Sequence, residues 1–190
     1  STAGAPRCAD APMSESPDRA PLPPGKRSLL TLATVLGTMM YAIDSTIVNV
    51  ALPHMQGNLQ ATQDQAAWIL TSYIVVSAIM TPLSGWLGTR HGLRPVLLWS
   101  VAGFTLGSML CGLATDLGQI VAFRILQGVA GAALIPLGQV VLLQEFPREQ
   151  HARVTALWGM GVLIGPVIGP TLGGWLTEEL SWRWAFYINL

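Results

Sequence analysis

The chain has 190 residues, of which 51% are hydrophobic and 11% are charged, well below the roughly 25% charged content of ordinary soluble domains. Ten basic and ten acidic side chains give a net charge of zero, which carries no sign of nucleic-acid binding. Cys8 and Cys111 have neither the number nor the spacing of a disulfide framework or a metal site. The composition therefore favours a multi-spanning membrane protein of the all-α class.

The first 27 residues form a polar segment rich in Pro, Ala and Ser, with basic side chains and no apolar core. This composition predicts a disordered cytoplasmic tail and not a cleavable signal peptide. Met13 opens a plausible start, so we expect residues 1–12 to lie upstream of the native start. N-terminal sequencing of the natural protein tests this expectation.

Five apolar stretches are long enough, at about 20 residues each, to cross a hydrocarbon core of ~30 Å. They lie near residues 29–52, 66–88, 95–115, 118–144 and 154–177. A sixth stretch begins around Trp184 and is cut off at Leu190. The pattern predicts an N-terminal transmembrane bundle over residues 28–190, truncated in its sixth helix, and hence a fragment of a longer protein.

The residues that flank these spans predict their orientation. The connectors alternate between six basic residues on one side (Lys26, Arg27, Arg90, Arg94, Arg148 and Arg153) and only Arg183 on the other. Since cytoplasmic loops carry the excess of Lys and Arg, the N-terminus is predicted to be cytoplasmic. Five tryptophans near span ends predict an interfacial aromatic belt: Trp68, Trp86, Trp175, Trp182 and Trp184. Five buried helices of a soluble protein would explain neither pattern.

The predicted spans contain two strongly ionisable residues, Asp44 in the first and Arg124 in the fourth. Insertion scales give a central charge a cost of roughly 2.5–3.5 kcal/mol, so such a residue normally faces a cavity, a partner or a transport route. Counting 1.5 Å per residue from the outer span ends puts the two about 12 and 9 Å deep. We therefore expect them to share one layer of the bundle.

Two interpretations of this pair remain open. A low-dielectric cavity favours a protonated carboxyl and a nearby guanidinium favours an ionised one, so Arg124 or a cationic substrate would control whether Asp44 holds a proton. Alternatively, the residues form a fixed ion pair that only joins two helices. Asn49, about one turn beyond Asp44, and Gln127, close to the face of Arg124, serve either interpretation, since polar residues also bond across helices.

The fifth span contains the segment GVLIGPVIGPTLGG, from Gly161 to Gly174. A repeat of four residues aligns small side chains on one helix face, which forms a groove that another helix can approach closely. Prolines inside the segment each remove a helical hydrogen bond, a defect that a membrane bundle tolerates. The segment predicts a closely packed transmembrane helix, and its candidate residues are Gly161, Gly165, Pro166, Gly169, Pro170, Gly173 and Gly174.

The remaining charged residues lie in connectors, where we expect them to be solvated. No Ser, His and Asp set, no paired acid and base, no phosphate loop and no metal-ligand cluster has meaningful spacing. The sequence therefore predicts a protein that is not an enzyme, with no catalytic residue, no metal site and no cofactor.

These motifs together resemble a known family. The chain is similar to the N-terminal half of a major facilitator superfamily transporter, most closely to the fourteen-helix drug and proton antiporter branch typified by EmrB and QacA. The likeness runs from about Leu29 to Leu190 and is carried by IDSTIVNVALP (43–53), GWLGTRHGLR (85–94), RILQGVAGA (124–132), GVLIGPVIGPTLGG (161–174) and SWRWAFYINL (181–190).

The resemblance implies six-helix bundles around a central cavity, which open alternately to either side of a bacterial inner membrane. It implies proton-coupled efflux of small hydrophobic or cationic compounds, multidrug efflux that confers antibiotic resistance. Asp44 would be the proton-linked or substrate-facing acid, Arg124 would modulate its protonation, and the fifth-span glycines would slide against the other half of the protein. Membrane lipid, protons and substrate are the implied partners, with a periplasmic adaptor and an outer-membrane channel as further candidates.

The segment 85–94 resembles the superfamily's cytoplasmic gate loop at Gly85, Arg90, Gly92 and Arg94. The family often has Asp where this chain has Thr89, and a basic residue where it has Leu93. Thr89 can cap a helix but cannot form a salt bridge, so we expect a weaker or differently connected charge network at this gate. The alternative is a short basic turn that only obeys the orientation rule.

Other functions remain open at this stage. One is a carrier of a specific metabolite. Another is a lipid-modifying membrane enzyme, which would need a polar catalytic cluster near an interface. A third is a non-transporting sensor or assembly factor, in which Asp44 would be dispensable. Since alternating access needs two bundles, residues 1–190 alone are not expected to transport.

Overall fold

A computed structural model of the chain describes residues 24–190, which fold as seven α-helices and one 3₁₀ turn. Their bounds are α1 Pro24–Asn58, α2 Gln63–His91, α3 Leu93–Leu113, α4 Leu117–Gly131, α5 Leu134–Glu145, the 3₁₀ turn Arg148–Gln150, α6 His151–Glu179 and α7 Trp184–Tyr187. Five helical segments are long and apolar enough to cross a membrane: α1, α2, α3, α4 with α5, and α6. The predicted all-α fold and its five spans are confirmed.

The first helix begins four residues earlier than the end of the predicted tail. Its first residue, Pro24, has a fixed φ that suits the first turn of a helix, where a missing N–H costs nothing. Residues 24–27 are therefore helical and the predicted disorder is wrong for them. The rest of the predicted tail, including Met13, lies outside the described residues.

Side-chain caps define where α2 and α4 begin. Thr62 accepts a hydrogen bond from the backbone N–H of Gln65, whose side chain accepts one from the backbone N–H of Thr62. Asp116 accepts a hydrogen bond from the backbone N–H of Gln119 in the same way. These bonds satisfy N–H groups that have no partner inside the helix, so the short α1–α2 and α3–α4 connectors hold both helix starts in place.

The fourth span, predicted near residues 118–144, is formed by α4 and α5 together. It breaks at Ala132 and Ala133, between α4 and α5. Pro136 lies four residues after Ala132, so its ring crowds the Ala132 carbonyl and it has no N–H to donate to that group. The break therefore lies two turns beyond Arg124, and α4 ends just after the residues that matter for the site.

The helices pack so that α1 runs along α6, while α4 lies between α2 and α3. An apolar core lies at the end of the bundle near the α1–α2 connector and includes Ile47, Met55, Ile69, Ile120 and Phe186, all fully buried. The short helix α7 packs on α3 beside this core. This arrangement leaves one face of α1 opposite α4, with polar side chains between them.

Trp182 also belongs to this apolar core, and its prediction as an interfacial residue is wrong. It is 4% exposed and packs edge-on against Phe186, with ring centroids 6.2 Å apart. The other four tryptophans of the predicted belt are exposed, and large apolar side chains such as Leu98, Trp99, Leu163 and Val167 are more than two thirds exposed. An apolar outer surface of this kind suits contact with lipid.

Candidate functional site

Asp44 and Arg124 meet in the centre of the bundle. An oxygen of the Asp44 carboxylate, Oδ2, accepts a hydrogen bond of 2.7 Å from Arg124 Nη1, and neither side chain is exposed. The two residues reach each other from α1 and α4. The prediction that they share one layer is confirmed.

Gln127 joins both members of the pair. It follows Arg124 by three residues on α4 and therefore points to the same side. Its Nε2 donates to Asp44 Oδ1 at 2.9 Å, while its Oε1 accepts from Arg124 Nη1 at 2.8 Å. The Cys111 thiol of α3 also lies against this amide oxygen, 3.7 Å away. The predicted grouping of Gln127 with Asp44 and Arg124 is confirmed.

Two further polar residues, Asn189 and Ser108, complete the shell of Asp44. Asn189 Nδ2 donates to Asp44 Oδ1 at 2.9 Å and to Ser108 Oγ at 2.8 Å. The Ser108 hydroxyl donates in turn to the backbone carbonyl of Phe186 at 2.8 Å. The Asp44 carboxylate thus accepts hydrogen bonds from Arg124, Gln127 and Asn189, and the sequence interpretation had missed the last of these.

Arg124 is covered by aromatic rings as well as paired with a carboxylate. Its guanidinium carbon lies 3.9 Å from the centroid of the Tyr73 ring and 5.8 Å from that of Phe186. The electron-rich face of a ring attracts a cation, most strongly where water is excluded. The guanidinium Nε also lies 3.4 Å from the Ile69 carbonyl. Several neutral groups of the protein therefore hold the cation in addition to Asp44.

The burial of this pair has two opposite energetic effects. Removing both charges from water costs several kcal/mol per ion, and a short hydrogen-bonded contact in a low dielectric offsets much of that cost. Losing one partner leaves an unpaired buried charge, which typically costs about 3–5 kcal/mol. The site is therefore stable when Asp44 and Arg124 face each other, and it responds strongly to any event that separates or neutralises them.

Asn49 does not join this cluster. Its side chain is exposed and donates to the Ser45 carbonyl of its own helix at 3.1 Å. Five residues separate it from Asp44, so it points to a different side of α1. The structure thus brings together Asp44, Arg124 and Gln127 from the predicted set. The Asn49 side chain is exposed and lies outside this cluster.

The predicted gate loop lies where α2 ends and α3 begins. Gly92 ends α2 with φ +92° and donates its N–H to the Gly88 carbonyl at 3.0 Å. Only glycine adopts that φ without strain, which explains the tight connection between the two helices. Thr89, which could have capped a helix, caps neither one: its hydroxyl donates to the Trp86 carbonyl within α2.

The charged residues of the loop have different partners. Arg94 forms an ion pair with Glu145 at the end of α5, so Glu145 is not simply solvated as the sequence had suggested. Arg90 lies over the Trp86 ring, 5.6 Å from its centroid. Gly85 is exposed and has open space where a Cβ would be. The loop is thus connected to the fourth span through one basic residue, Arg94.

The glycine face of α6 packs against α1. A Cβ at Gly165 would lie 2.9 Å from the Ala42 carbonyl carbon and 3.0 Å from the Ile43 nitrogen, and one at Gly169 would overlap Thr46. Gly161 and Gly173 face Val35 and Ile47 of α1 in the same way. The close-packing prediction is confirmed.

For Gly161, Gly165, Gly169 and Gly173, the expected contact with the other half of the protein is wrong, because α1 of the same bundle fills their groove. Pro166 and Pro170 are exposed and lie beside this face of α6. Gly174 has open space, with its nearest neighbour, Val50, 4.0 Å from an added Cβ. The tight α1–α6 contact fixes the helix that carries Asp44.

Comparison with known proteins identifies the family. The model of the Major Facilitator Superfamily matches residues 34–190. The chain belongs to the Major Facilitator Superfamily. This is the assignment that the motifs had predicted, and the fold agrees with it.

Two curated relatives are exporters or resistance proteins by name. The chain is 40% identical to the multidrug export protein EmrB of Escherichia coli (strain K12) over 170 residues, which cover 90% of this chain and 33% of that protein. It is 41% identical to the fatty acid resistance protein FarB of Neisseria gonorrhoeae over 173 residues, covering 91% and 34%. The chain therefore spans about a third of the length of these relatives.

A solved structure supports the fold. The crystal structure of a bacterial homolog to the human lysosomal transporter Spinster, in an inward-facing and unoccupied conformation, superposes with a TM-score of 0.70 at 21% identity. The match covers 87% of this chain and 40% of that chain. At this identity the likeness concerns the fold of the transmembrane bundle.

Proposed function

We propose that the full-length protein is a proton-coupled exporter of small hydrophobic or cationic compounds in a bacterial inner membrane. The observation that carries this proposal is the buried Asp44 carboxylate, which is paired with Arg124 and has no exposed surface. A membrane bundle that only needed stability would gain nothing from this pair over apolar side chains of the same size. We infer export because the relative EmrB is named a multidrug export protein.

The chemistry of exchange follows from the partners of Asp44. Ionised, the carboxylate accepts three hydrogen bonds and balances the charge of Arg124. A proton added to Asp44 removes that negative charge and one acceptor position. A cationic compound that approached Asp44 would favour the ionised form and expel the proton. Proton and substrate would thus compete for one carboxylate, which is the requirement for antiport.

Arg124 has partners that remain when Asp44 is neutral. The Tyr73 ring, the Gln127 amide oxygen and the Ile69 carbonyl each face the guanidinium. Without them, protonation of Asp44 would leave a buried cation at a cost of several kcal/mol. We propose that these neutral groups lower the free energy of the state in which Asp44 is protonated, so that Asp44 cycles between two charge states.

Both residues of the pair are closed off from water in this conformation. Proton exchange therefore requires the bundle to open, and alternating access supplies the opening when a second bundle rocks against this one. The chain covers about a third of its relatives, so the second bundle belongs to the full-length protein. Orientation with the N-terminus in the cytoplasm is part of this proposal, supported by the six basic residues on that side.

A second substrate class has a specific observation in its favour. The relative FarB is named a fatty acid resistance protein and is as similar to this chain as EmrB is. Amphipathic acids would carry a charge opposite to that of lipophilic cations and would be attracted to Arg124. We also propose, by likeness to EmrB, that a periplasmic adaptor and an outer-membrane channel accompany the pump.

Transport by the full-length gene product in inverted membrane vesicles tests the proposal. The vesicles are energised with a proton gradient, and uptake of ethidium is compared for wild type, Asp44→Asn and Asp44→Glu. Asp64→Asn, the same change at an exposed acid in the first turn of α2, is the matched control. Oleate added as a competitor probes the second substrate class.

The proposal expects gradient-dependent uptake in wild type and Asp64→Asn, loss of uptake in Asp44→Asn, and partial uptake in Asp44→Glu at equal protein levels. Uptake that is unchanged in Asp44→Asn would mean that the pair only joins two helices. Competition by oleate but not by other lipophilic cations would favour the acidic substrates.

A further inference from the structure

We propose that Asn189 is a positioning residue that sets the proton affinity of Asp44. Asn189 donates a hydrogen bond to the Asp44 carboxylate. Of the bonds to this acid, it is the one that can be lost while the ion pair with Arg124 stays intact. This inference rests on the proposed role of Asp44 in proton exchange. It concerns the turn that follows α7, at the end of the described residues, to which the sequence patterns assigned no role in proton exchange.

The orientation of the Asn189 amide is fixed by Ser108. The Ser108 hydroxyl uses its only hydrogen to donate to the Phe186 carbonyl, 2.8 Å away. Its oxygen is therefore left as an acceptor, and Asn189 Nδ2 donates to it at 2.8 Å. The same nitrogen donates to Asp44 Oδ1 at 2.9 Å. Ser108 thus turns the donor end of the amide, and not its oxygen, toward the acid.

The three donors of Asp44 are not held equally. Arg124 and Gln127 share helix α4 and are bonded to each other, so they move together. Asn189 comes from the segment after α7, a separate element. It is 5% exposed, and within residues 24–190 its Oδ1 has no hydrogen-bond partner. A small shift of this segment relative to α1 would therefore remove one donor and leave the Asp44–Arg124 contact intact.

Loss of that donor would favour the protonated acid, because hydrogen bonds to a carboxylate stabilise its ionised form. The other titratable groups near Asp44 are Arg124 from α4, Tyr73 from α2 and Cys111 from α3. Those of α5 and α6 lie at the helix ends, and Tyr187 of α7 packs against Gly112. A substitution at Asn189 changes none of these groups, so a shift in protonation can be assigned to the amide.

The test uses the purified full-length protein and reads protonation directly. Infrared spectroscopy follows the band of the protonated carboxyl group across pH, and the part of the band that is lost in Asp44→Asn belongs to Asp44. Asn189→Leu removes the amide at nearly constant shape, and Ser108→Ala removes the acceptor that orients it. Ile188→Ala, at an exposed neighbour, is the matched control. Ethidium uptake at a series of pH values is measured in parallel.

In Asn189→Leu the midpoint of Asp44 protonation should move to higher pH by about one unit, a tenfold change in proton affinity typical of losing a hydrogen bond to a charged group. The pH profile of ethidium uptake should move in the same direction. Ser108→Ala should give a smaller shift of the same sign, and the double variant should match Asn189→Leu alone, because Ser108 acts through the amide.

An unchanged midpoint in a folded Asn189→Leu protein would overturn the inference even if wild type transports ethidium normally. If wild type transports no compound but the midpoint shifts as stated, the proposed exporter function fails while the control of Asp44 by Asn189 stands. A shift of equal size in Ile188→Ala would also overturn the inference, since it would show a general effect of disturbing this segment.

Discussion

The Oδ2 atom of Asp44 lies 2.7 Å from Nη1 of Arg124, at a position where neither side chain is exposed. This contact joins α1 to α4, and α1 is itself held against α6 by the glycine face. Breaking this contact would therefore affect both the stability of the bundle and proton exchange. Variants that change charge and packing separately distinguish the two contributions.

The first prediction concerns stability. Asp44→Asn should lower the free energy of unfolding by less than about 3 kcal/mol, because neutral groups still face the Arg124 cation. Arg124→Gln should lower it by about 3–5 kcal/mol, because it leaves the buried Asp44 carboxylate without its partner. The double variant contains no buried charge and should recover most of that loss. Unfolding of the full-length protein in mixed detergent micelles measures all four proteins.

Transport in the same double variant separates stability from function. We expect a protein that unfolds nearly like wild type but shows no proton-driven uptake of ethidium. Recovery of uptake together with stability would mean that the pair is structural and that the coupling acid lies elsewhere.

Tyr73 gives the second prediction. Tyr73→Phe keeps the ring over Arg124 and removes a hydroxyl that has no hydrogen-bond partner among residues 24–190, so stability should change by less than about 1 kcal/mol. Tyr73→Leu removes the ring face and should cost about 2 kcal/mol more, since a desolvated cation–π contact is lost. Equal unfolding energies for the two variants would show that the ring does not stabilise the cation.

The third prediction concerns the contact between α1 and α6. Gly165→Ala should cost about 1–3 kcal/mol, because the added Cβ meets backbone atoms of Ala42 and Ile43, which cannot rotate away. Gly174→Ala, in the same motif but facing open space, is the control and should be neutral or slightly stabilising. Destabilisation of similar size in both would mean that the glycines serve helix flexibility and not close packing.

The central pair could be predicted from the sequence because charged residues are rare in apolar spans. Asp44 and Arg124 were identified solely from the free-energy cost of a charged side chain in a membrane span, and Gln127 from its spacing on the same helix as Arg124. Counting residues from the span ends was enough to bring the two charges into one layer. A residue whose insertion into the membrane is costly can thus be recognised as a candidate without any knowledge of the fold.

Tyr73, Ser108 and Asn189 could not be found in the same way. Tyrosine, serine and asparagine are inexpensive enough inside a bundle to occur without a special role. Their importance depends on which helices face each other, and no local pattern contains that information. The one available signal was the isolated asparagine in the apolar run WAFYINL, which the sequence interpretation did not use.

The sequence also did not predict which helices pack against each other. The four-residue repeat of glycines predicted a groove, but the identity of the helix that fills it depends on the bundle's arrangement. Asn49 is close to Asp44 along the chain, yet the helical angle of 100° per residue turns it away. By contrast, the break before Pro136 was available from that residue alone, because proline disrupts the bond to the fourth residue before it.

The fourth prediction concerns the ion pair between Arg94 and Glu145. The Arg94 side chain is 44% exposed, so Arg94→Gln should cost only about 0.2–1 kcal/mol, and less in high salt. The exchanged pair, Arg94→Glu with Glu145→Arg, should restore the stability and salt dependence of wild type. A loss above about 2 kcal/mol in Arg94→Gln would mean that the loop depends on this contact far more than exposure suggests.

Proton release on ethidium binding shows whether Asp44 carries the exchanged proton. Ethidium is added to the purified full-length protein in weakly buffered detergent solution, at a pH below the midpoint of Asp44 protonation measured by infrared spectroscopy. The pH change is compared for wild type, Asp44→Asn and Asp64→Asn. The account predicts that wild type and Asp64→Asn release protons when the dye binds, and that Asp44→Asn releases none while it remains folded. Equal proton release from Asp44→Asn would contradict the account, because the exchanged proton would then come from another group.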